Sequence, residues 1–333
     1  MMPQNTNPRV KLDKKNIPDR ASLLADVAEM YYLEEKNQAE IAAAVGVTRS
    51  MISRMLTDAR ELGMVEIWIN RPLHSDLELE SALKERFGLL DATAVVTGRR
   101  SGPGLTRIVG MGGARLLKRY LAPGQTLALT WGTTVSAAVD AFEATESMRV
   151  RVAQLTGAMG TRMMEYDGHE LVARMAAKLG GDAYFLNAPY LCETADMAHS
   201  LLEAKGVREA INLCKQADVL LLGIGTTLPE YSYHCLSGYL SRHEVEELRR
   251  AGAVGDVCGM HFDMQGRPVC QEFSDRVVAI RLPDLLAVRV RLGVAGGEGK
   301  ADAILGALRG KYVNVLVIDS LAARKVLELA KSN

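Results

Sequence analysis

The sequence lacks most of the features that would mark it as secreted, membrane-bound or metal-dependent. Its five cysteines, Cys192, Cys214, Cys235, Cys258 and Cys270, all fall in the second half, with no C-x-x-C pair among them. An odd, unclustered set argues against a disulfide framework or a zinc knuckle and for free thiols in a reducing, cytoplasmic compartment. The six histidines are scattered without metal-ligand spacing, so neither a metal nor another cofactor is expected. No stretch approaches the roughly 18 uninterrupted apolar residues of a membrane span. The opening MMPQNTNPRVKLDKKNIPDR is basic but has no apolar core of a signal peptide. A net charge of one sign is missing too, since 40 Lys plus Arg balance 40 Asp plus Glu. The chain as a whole therefore has no preference for a polyanion, and any nucleic-acid contact must be local. A complete G-x-G-x-x-G is also absent. Gly110-Met111-Gly112-Gly113 begins a helical pattern without a strand before it, and the turn at 223–227 has only the first two glycines, which speaks against a nicotinamide-binding oxidoreductase.

What is present is ordinary globular material in two parts. The 333 residues, 48% hydrophobic and 24% charged, are about twice the length of one domain, so one large core with a small satellite is expected. Residues 1–18, rich in Asn, Pro and Lys, read as a disordered tail. Residues 19–71 are helical and end in an alternating run at 64–69 that reads as a strand, the start of a wing. The break at 71–75 sets a boundary, and residues 72–90 read as a connecting helix with Leu77, Leu79, Leu83 and Phe87 as its apolar positions. From 91 to 333, β-rich runs at 94–97, 126–131, 150–155, 183–186, 219–223, 277–282, 288–292 and 313–318 alternate with helical segments. That alternation predicts a doubly wound, mostly parallel α/β sheet, with ligands bound at the carboxyl ends of strands.

Residues 38–55, QAEIAAAVGVTRSMISRM, fit a helix-turn-helix position by position. Ile41, Ala42 and Val45 share a face, Gly46 can take the positive φ of a tight turn, and Val47 fills the angle. Thr48 suits the N-cap of the second helix, while Ile52 and Met55 face inward. The exposed remainder, Thr48, Arg49, Ser50, Ser53 and Arg54, together with Gln38 at the start of the first helix, suits DNA: arginine can bridge two acceptors of guanine, and hydroxyls can bond bases or phosphates. Residues 1–71 carry ten basic and ten acidic side chains, so affinity must come from several helices presented together by a dimer or tetramer. A helical hairpin with a glycine turn is the bland alternative.

The segment AEIAAAVGVTRSMISRMLTDARELGMVEI resembles the helix-turn-helix of the SorC family of sugar-binding transcriptional regulators. The resemblance runs on through WGTTV, VAQLTGAMG, GAVGDVCGMHFDMQGRPV, AGGEGKADAILGAL and VNVLVIDSLAARKVLEL, in order, over nearly the whole chain after residue 20. It implies a sugar-phosphate isomerase-like effector domain with no required catalysis, a phosphorylated sugar or polyol as effector, and a homo-oligomer on double-stranded operator DNA.

The residues themselves are compatible with that implication. Gly132, Thr133 and Thr134 open a helix whose positive dipole end favours phosphate. Gln154 and Gly157, with Gly160, form a second strand-to-helix turn. Gly296, Gly297 and Lys300 form a third, with a point charge for an anion. Asp256 and Asp263, beside Phe262, are placed to accept bonds from sugar hydroxyls, and His261 is the histidine to watch. Each has a plain structural reading: a Gly-Thr-Thr helix cap, a solvated lysine, a carboxylate closing a hairpin turn. The rival function is a sugar-phosphate isomerase-like enzyme fused to a DNA-binding domain, with Asp256, Asp263 or Glu298 as base. The helix-turn-helix already supplies a use for ligand binding, so catalysis is not expected.

Overall fold

The computed structural model describes residues 20–65, 73–98, 100–160 and 164–331. The chain divides into two compact units, Met1–Pro72 and Leu73–Asn333. The expected tail at 1–18 and the strand at 64–69 beyond Val65 lie outside the described residues, and the described Met64 and Val65 are not in a strand.

The first unit contains α1 (Arg20–Tyr32), α2 (Gln38–Val45) and α3 (Arg49–Glu61). Leu24, Val27 and Ala28 meet Ile41 and Ala42, with Ile52, Leu56 and Ala59 closing a core of their own. Local chemistry fixes both ends of α2. The Asn37 side chain accepts from the amides of Ala39 and Glu40, the Glu40 carboxylate accepts from the Asn37 amide at 2.8 Å, and Gly46 turns the chain at φ 78°. Thr48 caps α3 by accepting from the Met51 amide at 3.3 Å.

The second unit is built on a seven-stranded sheet, ordered β1-β10-β9-β5-β2-β3-β4, with every pair parallel. Its strands are β1 (Asp91–Val95), β2 (Thr126–Leu129), β3 (Arg151–Gln154), β4 (Ala183–Tyr184), β5 (Val219–Gly223), β9 (Val290–Val294) and β10 (Val315–Asp319). The central strands read as unbroken apolar runs because both faces are covered. Leu316 and Ile318 of β10 point into one core while Val315 and Val317 point into the other. On these faces lie α4 (Leu77–Phe87), α5 (Gly102–Tyr120), α6 (Thr133–Ala141) and α7 (Gly168–Leu179), among others. In α4, Leu83 is fully buried and Leu79 and Phe87 pack beside it, whereas Leu77 is 71% exposed. No helix of the described residues is long and apolar enough to cross a membrane.

Two features depart from the sequence reading. Residues 277–282 do not form a sheet strand. Val277 and Ala279 make isolated bridges to Leu191 and Thr156, and a helix begins at Leu282 with Pro283 in its first turn. The run is apolar because Val277, Val278, Ala279 and Ile280 are all buried, and burial gives coil and strand the same composition. Conversely, β6 (Gly225–Thr226), β7 (Gly255–Val257) and β8 (Met260–Phe262) make a small antiparallel sheet, too short and glycine-rich to show a period.

Candidate functional site

Strand order creates the site. The chain leaves β2 for β3 on one side, whereas β5 leads through β6, β7 and β8 to β9 on the other. The connections therefore diverge at the carboxyl ends of β2 and β5, a topological switch point where open α/β sheets leave a crevice. A cleft lies there, lined by Thr130, Trp131, Gly132, Thr133 and Thr134 after β2, by Gly223, Ile224 and Gly225 after β5, and by Tyr233, His234, Asp256, Cys258 and Lys300.

Of the residues singled out from the sequence, Gly132, Thr133, Thr134, Asp256 and Lys300 meet in this cleft. Gly132 donates its amide to Tyr166 O at 3.0 Å and starts α6, and no side chain of the described residues caps that helix. The first-turn amides of α6 thus present partial positive charge to the cleft. Thr130 Oγ1 accepts from the Gly223 amide at 3.1 Å and ties the ends of β2 and β5 together. Lys300 donates from Nζ to Ile224 O at 3.0 Å. Burial lowers its pKa, and the Asp256 carboxylate partly offsets the effect. Asp256, itself buried, accepts from the Gly259 amide at 3.0 Å.

The other expected residues do not line the cleft. Gln154 is fully buried and spans its own turn, donating to Thr156 O at 2.8 Å. Gly157 donates to Val278 O at 2.8 Å in the framework below. Phe262 packs on Tyr312 with ring centroids 5.1 Å apart. Asp263 accepts from the amides of Gln265 and Arg267, each at 2.8 Å, and so closes a turn. Gly296 and Gly297 sit just before the lysine, with the Gly297 amide donating to Asp319 Oδ2 at 2.6 Å. Neither Asp263 nor Glu298, two of the three candidate bases, reaches the cleft. Gly110, Gly112 and Gly113 are buried within α5 and form no phosphate loop.

The sequence reading missed the aromatic wall. Trp131 packs at 5.1 Å from both Tyr233 and His234 and at 5.6 Å from Tyr190. His234 Nε2 and Tyr190 Oη are 2.8 Å apart, both buried. Burial lowers the His234 pKa, against the pull of Asp256. His261 lies beneath the cleft, not in its lining, with its ring 6.3 Å from that of His234. The only signal for His234 was its place among tyrosines in the long excursion between β6 and β7.

In the first unit, Thr48, Arg49, Ser50, Ser53 and Arg54 are all exposed on the first turns of α3, and Gln38 is half-buried at the start of α2. Arg49 and Arg54 form no salt bridge among the described residues.

A capped helix-turn-helix on one chain with an α/β unit whose cleft opens at a switch point is the architecture of a ligand-responsive DNA-binding regulator. Residues 71–328 match the family of sugar-binding domains, and residues 38–65 match the crp family of bacterial regulatory proteins. The full-length crystal structure of the sorbitol operon regulator SorC from Klebsiella pneumoniae superposes with a TM-score of 0.69 at 30% identity, covering 93% of this chain and 100% of that one. A transcriptional regulator LsrR of Klebsiella pneumoniae is 35% identical over 92% of this chain and 93% of its own length. The deoxyribonucleoside regulator of Bacillus subtilis is 29% identical over 93% of this chain and 98% of its own. The chain belongs to the SorC family of sugar-binding transcriptional regulators. These relatives are named as regulators, one of them as a transcriptional regulator, and not as enzymes.

Proposed function

We propose that the protein controls a carbohydrate or polyol catabolic operon and that a phosphorylated sugar or polyol bound in the cleft sets its state on operator DNA. The observation that carries this reading is the meeting of the uncapped N-terminus of α6, Asp256 and Lys300 in one cleft. The amides and hydroxyls of Thr133 and Thr134 and the Lys300 ammonium are the groups a phosphate needs, and Asp256 suits a sugar hydroxyl. Gly296 and Gly297 carry the lysine, while Gln154, Gly157, Phe262 and Asp263 hold the frame. In this reading a bound phosphate draws Lys300 away from Ile224 O.

In this reading residues 19–71 contact the operator through Gln38, Thr48, Arg49, Ser50, Ser53 and Arg54, and residues 91–333 bind effector and form the homo-oligomer, in the cytoplasm. The test is thermal shift against sugar phosphates and their unphosphorylated counterparts, since a ligand that binds only the native state raises its apparent stability. Lys300→Ala, with Lys300→Gln to preserve bulk, is expected to weaken the stabilising phosphosugar at least tenfold and its unphosphorylated counterpart little. Equal loss for both would remove the lysine as a phosphate ligand.

A further inference from the structure

One exposed side chain on the recognition helix is not polar. Met51 lies in the first turn of α3, 52% exposed, between the polar pairs Arg49, Ser50 and Ser53, Arg54. The buried stripe of the helix, Ile52, Leu56 and Ala59, packs against α1 and α2 about a quarter turn away, and Met51 is not part of that core. Its backbone is fixed by the Thr48 cap, and Thr48 Oγ1 in turn lies 3.0 Å from Ser50 Oγ. Among the described residues, the other large apolar side chains exposed in this unit, such as Leu33 and Leu62, lie off the helix.

The N-terminal turns of a recognition helix are the part that reaches base edges. In the major groove the hydrogen-bonding atoms of the bases can satisfy Arg49, Ser50, Ser53 and Arg54, but a thioether chain satisfies none of them. The one apolar group the groove offers is the C5-methyl of thymine. A methionine is long and flexible enough to lie along such a methyl and exclude water from both.

We propose that Met51 is a specificity-determining residue that reads a thymine methyl in each half-site of the operator. The proposal rests on the reading of α3 as the DNA-contacting helix.

The test uses the full chain and duplexes that it selects from a random-sequence pool. In the preferred duplex each thymine is replaced in turn by uracil, which keeps base pairing and removes only the methyl. Affinities are measured by fluorescence anisotropy for the wild type, Met51→Ala, Met51→Leu and Arg54→Ala. The expected result is one thymine per half-site whose replacement weakens the wild type about fourfold, the equivalent of one methyl-sized group leaving a buried contact. Met51→Ala should lose about as much on the thymine duplex and be indifferent to uracil there, while Met51→Leu keeps the discrimination. Wild-type indifference to uracil at every position, a preferred half-site without thymine, or an undiminished uracil penalty in Met51→Ala would overturn the assignment of Met51. Failure of the reading of α3 looks different: Arg54→Ala would then bind as tightly as the wild type, or selection would return no preferred sequence. Met51 is exposed, so Met51→Ala is expected to melt with the wild type.

Discussion

At the scale of single residues, burial rather than pairing governs the groups beneath the cleft. His261 is fully enclosed, its Nδ1 has no hydrogen-bond partner among the described residues, and desolvation takes its pKa from 6.5 to about 4, with Asp256 opposing the shift. The folded protein thus keeps this ring neutral where the unfolded chain binds a proton. Its contribution to stability is complete above about pH 6.5, falls as the pH drops toward 4, and is exhausted below that value. Between pH 7 and pH 5 this single group should cost the wild type about 2 kcal/mol, at about 1.4 kcal/mol per pH unit below the unfolded pKa. Urea titrations of the wild type and His261→Gln at both pH values measure the difference in slope. Parallel loss of stability in the two proteins would show that His261 is not kept neutral by its surroundings. His234, whose pKa is lowered for the same reason, adds in the same direction.

At the scale of elements, the position of α6 depends on how closely α5 approaches it. A Cβ at Gly110 would stand 2.5 Å from Ala137 Cβ and 2.6 Å from the Ala137 carbonyl carbon, so the contact is backbone against backbone and neither side can yield by a rotamer change. On the opposite face of α5, a Cβ at Gly112 would meet Val317 Cγ1 at 2.7 Å, and one at Gly113 would meet both Val294 Cγ1 of the sheet at 2.8 Å and Ala138 Cβ of α6 at 3.1 Å. The helix is therefore set between the sheet and α6 by residues with no side chain. Gly110→Ala is expected to push α6 outward, destabilise the second unit by about 1 to 3 kcal/mol, and weaken effector binding, because α6 begins at Gly132 in the cleft. Calorimetric melting together with effector titration checks both effects. Lost stability with unchanged affinity would mean that the N-terminus of α6 is held by its loop alone, through the bond from Gly132 to Tyr166 O.

At the scale of the molecule, the core of the first unit shares no residue with the cores of the second among the described residues. The first unit closes over Leu24, Val27, Ile41, Ile52 and Leu56. In the second, Leu73 already packs against the core that contains Val109 and Leu117 of α5. A fragment of residues 73–333 should accordingly fold, keep the effector-dependent thermal shift and the oligomeric state of the full chain, and lose operator binding. Sedimentation and a gel-shift assay measure these outcomes, and a monomeric fragment would move the assembly surface to the first unit. An effector can alter DNA occupancy only by favouring one arrangement of the whole, by about 1 to 3 kcal/mol for a typical coupling.

The amino-acid order alone determined whatever depends on neighbours in sequence. Periodicity, a small residue at Ala42, a turn at Gly46 and a cap at Thr48 define the helix-turn-helix locally, and residues 219–223 read as a strand that the structure reproduces as Val219–Gly223. Gly132, Thr133, Thr134 and Lys300 were visible as strand-end turns because glycine and threonine mark helix starts. What only the tertiary structure decided is which of these turns meet. The order β9-β5-β2 brings the turn after residue 223 between those near 132 and 300, and that order is set by pairing across long stretches of chain. The same cause left Gln154, Phe262 and Asp263 in the frame and brought Tyr233 and His234 into the wall. A glycine turn or a buried histidine has one appearance in sequence, and the partner that gives it a role lies dozens of residues away.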